Sequence, residues 1–409
     1  MVSGALSARR ILLADADAFF VAVARLMDPK GAGREPLLIV GGTRESRGVV
    51  CSASYETRRY GVRSAMAISR ALRLCPKAVC VPVPRKACSE KHREIRAVLE
   101  RHAPAVEGAS IDEWYLDLGG TEALYHNESL GETAARARRD VMRQTGISVS
   151  FGGGTSKLIA KLAVEHAKPR PDNTATGVHV VPAGEEASFM SGIMLAEIPL
   201  VGPRFQERLA RLGMRSVPDV LQYEPSTLAQ WLDEREAAWL YRRVRGIDDS
   251  AVESHLDARS ISRDETFPLD IDDDAELDHE LLALVTRAAA DLRGDGLAAR
   301  TVRVKIRDRD FRTRQASRTL DRAVIADRVI LEVAHALLRR LRAGRRVPAR
   351  LLGVALSSLA ADANADQLTL FEARDGRLIE TERDRNVARV VDKVRARFGD
   401  KGILPGGLV

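Results

Sequence analysis

The chain has 409 residues, 45% of them hydrophobic and 30% charged, with a net charge of +7 at pH 7. That length supports more than one hydrophobic core, and the composition is ordinary for a globular protein. No apolar run reaches bilayer length and the N-terminal MVSGALSARR has no secretory core, so a cytoplasmic protein is the expectation.

Strand- and helix-like segments alternate through the first part. LLIVGG (Leu37 to Gly42) and VVCSAS (Val49 to Ser54) read as short buried strands. Pro76, Pro82 and Pro84 punctuate the chain near residue 80. ASIDEWYLDL (Ala109 to Leu118) is apolar and aromatic with acids set into it, and GISVSFGGG (Gly146 to Gly154) reads as a strand running into a glycine turn. SKLIAKLAVEHA then has helical spacing, and residues 185 to 250 are helical with short loops at Gly202, Gly213 and Gly246. Asp264 to Asp278 reads as an acidic connector. Beyond it come a helix (Leu277 to Leu292), a basic strand pair, a long helix (Ala323 to Arg342), a strand (LLGVALSSL) and a polar tail. The four cysteines, Cys51, Cys75, Cys80 and Cys88, form no CxxC pair and read as reduced thiols.

Positive charge is concentrated. Arg300 to Arg350 holds sixteen Lys/Arg against five Asp/Glu, an excess larger than the +7 of the whole chain. A localised basic field suggests a polyanion partner, most often nucleic acid. VRVKIRD (Val302 to Asp308) alternates: Val302, Val304 and Ile306 face one way, Arg303, Lys305 and Arg307 the other. The next run, FRTRQASRT, sets Arg312, Arg314 and Arg318 on one face. A sheet with an apolar underside and a basic upper face suits a phosphate backbone and carries no base-specific code.

ILLADADAFF (Ile11 to Phe20) poses a different question, because a buried-type strand here carries Asp15 and Asp17 on one face. A second acidic segment, Asp112-Glu113, follows about a hundred residues later. Clustered carboxylates beside a core repel one another and protonate unless a cation keeps them ionised. Two acidic strands side by side make an oxygen-donor site for Mg²⁺, which typically takes one or two carboxylates plus substrate phosphates. Taken alone, either acidic pair is more commonly a turn or cap.

The ordered set DADAFF, SYETRRYGVRSAM, SIDEWYLDL and AKP resembles the Y-family DNA polymerases, and within them the DinB branch, over nearly the whole chain. The resemblance implies an α/β fold with an α+β palm: a right-hand polymerase with palm (1–18 and 85–180), small fingers (19–84), helical thumb (181–250), little finger (259–360) and tail (361–409). It implies template-directed, low-fidelity translesion synthesis without proofreading, using dNTPs and two Mg²⁺ ions per active site. Asp15, Asp112, Glu113 and the Ala16 carbonyl match the metal-holding positions. Phe20 matches the steric gate against a ribose 2′-hydroxyl, with Phe19 the ordinary core residue. Ser52, Tyr55, Arg58 and Lys168 match residues near the triphosphate. Asp17 matches an acid with a supporting role. Cys51, Ser64 and Ala65 match a small-residue roof over the nascent base pair.

Ile198 to Gly213 resembles a helix–hairpin–helix, with Leu200 where the family commonly has a glycine, and Ala24 stands where a Glu is frequent. Gln367, Leu368, Leu370 and Phe371 match a sliding-clamp peptide, followed by an amphipathic helix over 383–399. The implied partners are primer–template DNA, dNTPs and the bacterial clamp, with no membrane, and the protein is expected to be a monomer. The alternatives are a catalytically inactive Y-family accessory protein, which tends to lack the carboxylates, a basic DNA-binding scaffold with structural acids, and more distantly a nucleotide cyclase.

Overall fold

The computed structural model describes residues 9–44, 47–125, 127–169, 176–255, 257–362, 380–399 and 402–408. The chain divides into two units, Met1–Leu256 and Asp257–Val409. In the first, β1 (Ile11–Ala16) runs into α1 (Phe19–Met27), followed by β2 (Leu38–Gly41), β3 (Val50–Ala53), α2 (Tyr55–Arg58), α3 (Ile68–Leu74), β4 (Val79–Pro82) and α4 (Arg85–Leu99). Next come β5 (Ala105–Gly108), β6 (Glu113–Asp117), α5 (Leu130–Thr145), β7 (Val149–Gly154), α6 (Lys157–Ala167) and β8 (Val178–Val180). Helices α7 (Glu186–Ser191), α8 (Pro203–Arg211), α9 (Val217–Leu221), α10 (Pro225–Leu228) and α11 (Glu234–Arg243) complete it. Two sheets result, ordered β5-β6-β1-β7-β8 and β3-β2-β4.

β1 lies between β6 and β7, antiparallel to both. Its alternation sorts two cores. Leu12, Ala14 and Ala16 pack toward one face with Trp114, Phe151 and α4 and α5 residues, whereas Ile11 and Leu13 pack against Ala160 and Val164 of α6. Ala14 is opposite both Trp114 and Phe151 in register, so a small residue leaves room for two large ones. The glycines of SFGGG are inside β7 and fully buried, not in a turn. Glycine is needed there because α6 crosses the strand closely: a Cβ on Gly152 would meet Ala160 O and Val164 N, each at 2.2 Å. α1 is shared between cores, with Phe19 and Val23 in one and Val21 and Ala24 packed on Leu38 and Val40 in the other. Ala24 is thus a small buried contact under β2.

The five helices α7–α11 share one core with Leu158, Ile159 and Leu162 of α6. In the hairpin before α8, Leu200 takes φ +74 with its side chain 82% exposed. The backbone keeps the left-handed conformation that a glycine would supply freely, so the departure at Leu200 adds local strain without rebuilding the turn.

The second unit contains β9 (Ser260–Ile271), α12 (Asp274–Gly294), β10 (Leu297–Asp308), β11 (Thr313–Val324), α13 (Asp327–Gly344), β12 (Ala349–Ala361) and α14 (Glu382–Phe398). Its sheet order is β11-β10-β12-β9, with α12 and α13 packed on one face around a single core. Two sequence expectations are corrected. Most of the acidic stretch from Asp264 is strand β9, an edge strand whose Ile261, Phe267 and Ile271 are buried, while Asp264 is exposed and Glu265 reaches Arg287 of α12; such a half-polar edge reads like a connector. The long helix starts at Asp327, because residues through Val324 still belong to β11. Arg293 at the end of α12 pairs with Asp392 and Asp327, and Arg328 with Asp384, so α14 is tied to this unit by ion pairs. Residues 367–371, the clamp-peptide match, lie outside the described residues.

Candidate active site

The two acidic segments lie side by side. Asp15 is directly opposite Glu113 across the β1–β6 pair, and Ala16 N–H donates to Asp112 O at 2.9 Å. Asp15, 6% exposed, ends the face of β1 that α6 covers, and Lys168 Nζ sits 2.8 Å from its Oδ2. Glu113 Oε1 lies 2.6 Å from Lys161 Nζ. Asp112 is in the bend before β6, half-buried, and accepts from Ser110 Oγ at 2.5 Å.

Burial pushes the Asp15 carboxyl up to about 7, opposed by the adjacent Lys168 and reinforced by the Glu113 charge. Burial pulls Lys168 toward its neutral form, but Asp15 and Glu165 outweigh it and hold the ammonium charged. A cation therefore already stabilises this carboxylate, which is what a site for positive charge requires. Among the described residues no three His, Cys, Asp or Glu side chains converge into a ready metal cage.

Asp17, 7% exposed, accepts from Ser148 Oγ (2.6 Å) and Ser150 Oγ (2.7 Å) of the β7 segment, while its N–H bonds Ser148 O. Its oxygens are spent on fixing the end of β1. Ala18, at φ 46, turns the chain from β1 into α1. Phe19 is 1% exposed, whereas Phe20 is half-buried, its ring 5.6 Å from that of Phe19 edge-to-face. Of the two rings, that of Phe20 is the one left reachable.

Ser54 caps the single-turn α2, accepting from Thr57 N–H. Tyr55 and Arg58 project from it, with the Arg58 Cζ 4.9 Å from the Tyr55 ring centroid and its Nε donating to Ala53 O at 2.9 Å. Burial pushes the Tyr55 hydroxyl up to about 12, and the charges of Asp17, Lys168 and Asp15 act on it, so α2 faces the carboxylates. Ser52 is buried in β3 beside this turn. Ser64 Oγ donates to Cys51 O (3.1 Å) and Ala65 N–H to Val50 O, so Cys51, Ser64 and Ala65 are adjacent.

Lys168 belongs to a row whose other two members, Lys157 and Lys161, no sequence motif above singles out. Lys157, Lys161 and Lys168 along α6 and its end reach Glu107, Glu113 and Asp15 respectively. Their spacing of four and seven residues marks one helical face, and the signal was present in SKLIAKLAVEHAK. Glu107, 7% exposed, also accepts from Glu253 N–H at 2.8 Å.

In the second unit, Arg303, Lys305 and Arg307 lie on the sheet face away from α12 and α13, among small or polar neighbours such as Ala355, Gly353, Ser317 and Gln315. Lys305 pairs with Asp264, and Arg307 Nε donates to Thr313 Oγ1. The placement of Arg314 and Arg318 is corrected. Arg314 is opposite Ile306 and Arg318 opposite Val302, so both are on the helix side. Arg314 is spent internally, bonding Asp308 Oδ1 at 2.9 Å, Arg345 O at 3.1 Å and Leu341 O. Arg312 precedes β11, in the turn.

The model of the impB/mucB/samB family matches residues 14–165, and that of its C-terminal domain residues 258–370. A DNA polymerase IV of Dehalococcoides mccartyi is 33% identical over 401 residues, 98% of each chain. One of Methanoculleus marisnigri is 38% identical over 354 residues, 86% of this chain and 94% of that one. Among solved structures, a Y-family DNA polymerase chimera, Dbh-Dpo4(243-245)-Dbh, superposes with a TM-score of 0.74 at 25% identity, covering 85% of this chain and 98% of the other. The insertion ternary complex of Dbh DNA polymerase shares the fold, with a TM-score of 0.60 at 24% identity over 85% of this chain and 98% of the other. Matched along both units, the chain belongs to the impB/mucB/samB family, the Y-family DNA polymerases of the DinB, or DNA polymerase IV, branch.

Proposed function

We propose that this chain is a template-directed translesion DNA polymerase that extends a primer 3′-hydroxyl with dNTPs, with low fidelity and without proofreading. The observation that carries the reading is the juxtaposition of Asp15, Asp112 and Glu113 across β1 and β6, beside the cation Lys168. Asp15, Asp112, Glu113 and the Ala16 carbonyl are the groups that would hold Mg²⁺. When bound, a pair of such ions supplies an activated hydroxyl nucleophile and charge neutralisation on the leaving pyrophosphate.

The protein's own part is binding and exclusion. Tyr55, its hydroxyl kept neutral at physiological pH, donates to a phosphate oxygen. Arg58, its guanidinium set by Ala53 O and the Tyr55 ring, offers a planar fork to the triphosphate, and Ser52 supports that turn. Lys168 exchanges Asp15 for phosphate as substrate enters. The small Cys51, Ser64 and Ala65 roof tolerates bulky templates. Residues 1–18 with 85–180 act as palm, 19–84 as fingers, 181–250 as thumb and 259–360 as little finger. Arg303, Lys305 and Arg307 grip phosphate, and 367–371 binds the clamp. The work is cytoplasmic and the protein a monomer.

Primer extension with single dNTPs opposite each template base tests the reading. Extension that favours the complementary dNTP but includes measurable misinsertion, abolished by chelator and restored by Mg²⁺, supports it. DNA binding without extension would leave the scaffold alternative standing. At the gate, Phe20→Ala is expected to weaken discrimination against ribonucleotides by on the order of 10²-fold, since only a removed clash separates the two sugars. Single-turnover incorporation of ATP and dATP measures it, and unchanged discrimination removes Phe20 from the role.

A further inference from the structure

The β10–β11 turn, residues 309–312, is built more rigidly than a surface turn requires. Asp308, fully buried, is bound by Arg314 and Arg345, and Asp310 accepts from Arg345 Nη2 at 2.7 Å. Arg309 N–H bonds Pro348 O at 3.0 Å, and Phe311 N–H bonds Asp308 O at 2.9 Å. At the tip Phe311 takes φ +66 and is 64% exposed. A glycine would fit that backbone without strain, so the large ring is held outward at a cost to folding.

Both acids of the turn are consumed by Arg314 and Arg345. The side chains that remain around the ring are cationic: Arg309 and Arg312 flank it in sequence, and the Arg350 Cζ lies 4.7 Å from its centroid. Among the described residues none of these three makes an ion pair.

We infer that this turn binds single-stranded DNA, Phe311 stacking on an unpaired base while Arg309, Arg312 and Arg350 hold neighbouring phosphates. The inference rests on the polymerase reading and extends it, because the Arg303–Lys305–Arg307 row on β10 contacts backbone only. Every base offers a π-face, so a stack is sequence-tolerant, as copying any template demands. A paired base inside a duplex has both faces covered by its neighbours, so the ring selects unpaired positions. The cationic surround and its continuity with the basic row of β10 favour nucleic acid over a protein partner.

Anisotropy titrations of the full chain with a labelled single-stranded oligodeoxynucleotide, and with a blunt duplex of the same length, test the inference. Phe311→Gly suits the left-handed turn and so removes the ring without strain. It is expected to weaken single-strand binding by about five- to a hundred-fold, to leave duplex binding within about twofold, and to be rescued by Phe311→Tyr. Unchanged single-strand affinity overturns the inference, as does equal loss on both DNAs. So does a change in self-association, read by sedimentation, with both DNA affinities intact, which would make the ring a protein contact. Primer extension by the wild-type protein, measured alongside, separates the two readings: Phe311-dependent single-strand binding without extension keeps the stack and sinks the polymerase.

Discussion

Replacing Asp112 with alanine is expected to lower the kcat/KM of primer extension by on the order of 10³-fold or more, about 4 kcal/mol of transition-state stabilisation, with little change in stability. Asp112 is the cleanest of the three acids to remove. Its side chain sits in a half-buried bend with Ser110 Oγ as its bonded partner, and the bond that joins the strands, Ala16 N–H to Asp112 O, is backbone. Asp15→Ala would also leave the partly buried Lys168 with Glu165 as its remaining counter-charge and lose some folding as well as activity. Single-turnover extension and a thermal melt on the same preparation separate the effects. A variant that extends normally would show that Asp112 has no part in the reaction.

The second large effect is on folding. Gly152→Ala places a Cβ 2.2 Å from both Ala160 O and Val164 N, and 2.7 Å from Val164 Cα. These are backbone atoms of a buried helix and cannot rotate aside. Either α6 lifts from β7 or the strand bends, at about 3 kcal/mol or more. For a unit of this size that lowers the melting temperature by roughly 6–12 °C. Because α6 carries Lys161 and leads into Lys168, lifting it also moves the cations away from Glu113 and Asp15, so activity falls below what the loss of folded protein explains. Gly202→Ala, where a Cβ meets nothing within 4 Å and φ is −76°, is the neutral control. Equal melting temperatures for the two variants would contradict this account of the glycine run.

The same glycines show where sequence reading stopped. A run of three glycines after a strand looks like a turn, because what makes glycine necessary, a helix crossing at backbone distance, is not local in sequence. The alternation in VRVKIRD was legible, since strand geometry alone assigns its faces. Arg314 and Arg318 were not: their face depends on register with β10, which puts them opposite Ile306 and Val302. The carboxylates were legible because acids in an apolar strand demand a reason, and the strand pairing supplies it. Their lysines were overlooked because Lys157 and Lys161 in an amphipathic helix look like a solvated face until the sheet beneath is known to carry Glu107 and Glu113. At Leu200, where the family commonly has a glycine, sequence alone does not say what the backbone does; it keeps the left-handed turn and bears the strain.

The central claim is that these acids gather divalent cations for phosphoryl transfer. The direct measurement is an Mn²⁺ titration by electron paramagnetic resonance of the protein on a dideoxy-terminated primer–template with the complementary dNTP. The account predicts about two Mn²⁺ taken up per wild-type complex, fewer for Asp112→Asn, and dNTP-dependent uptake in both. Equal uptake by wild type and Asp112→Asn, or uptake indifferent to dNTP, would contradict it.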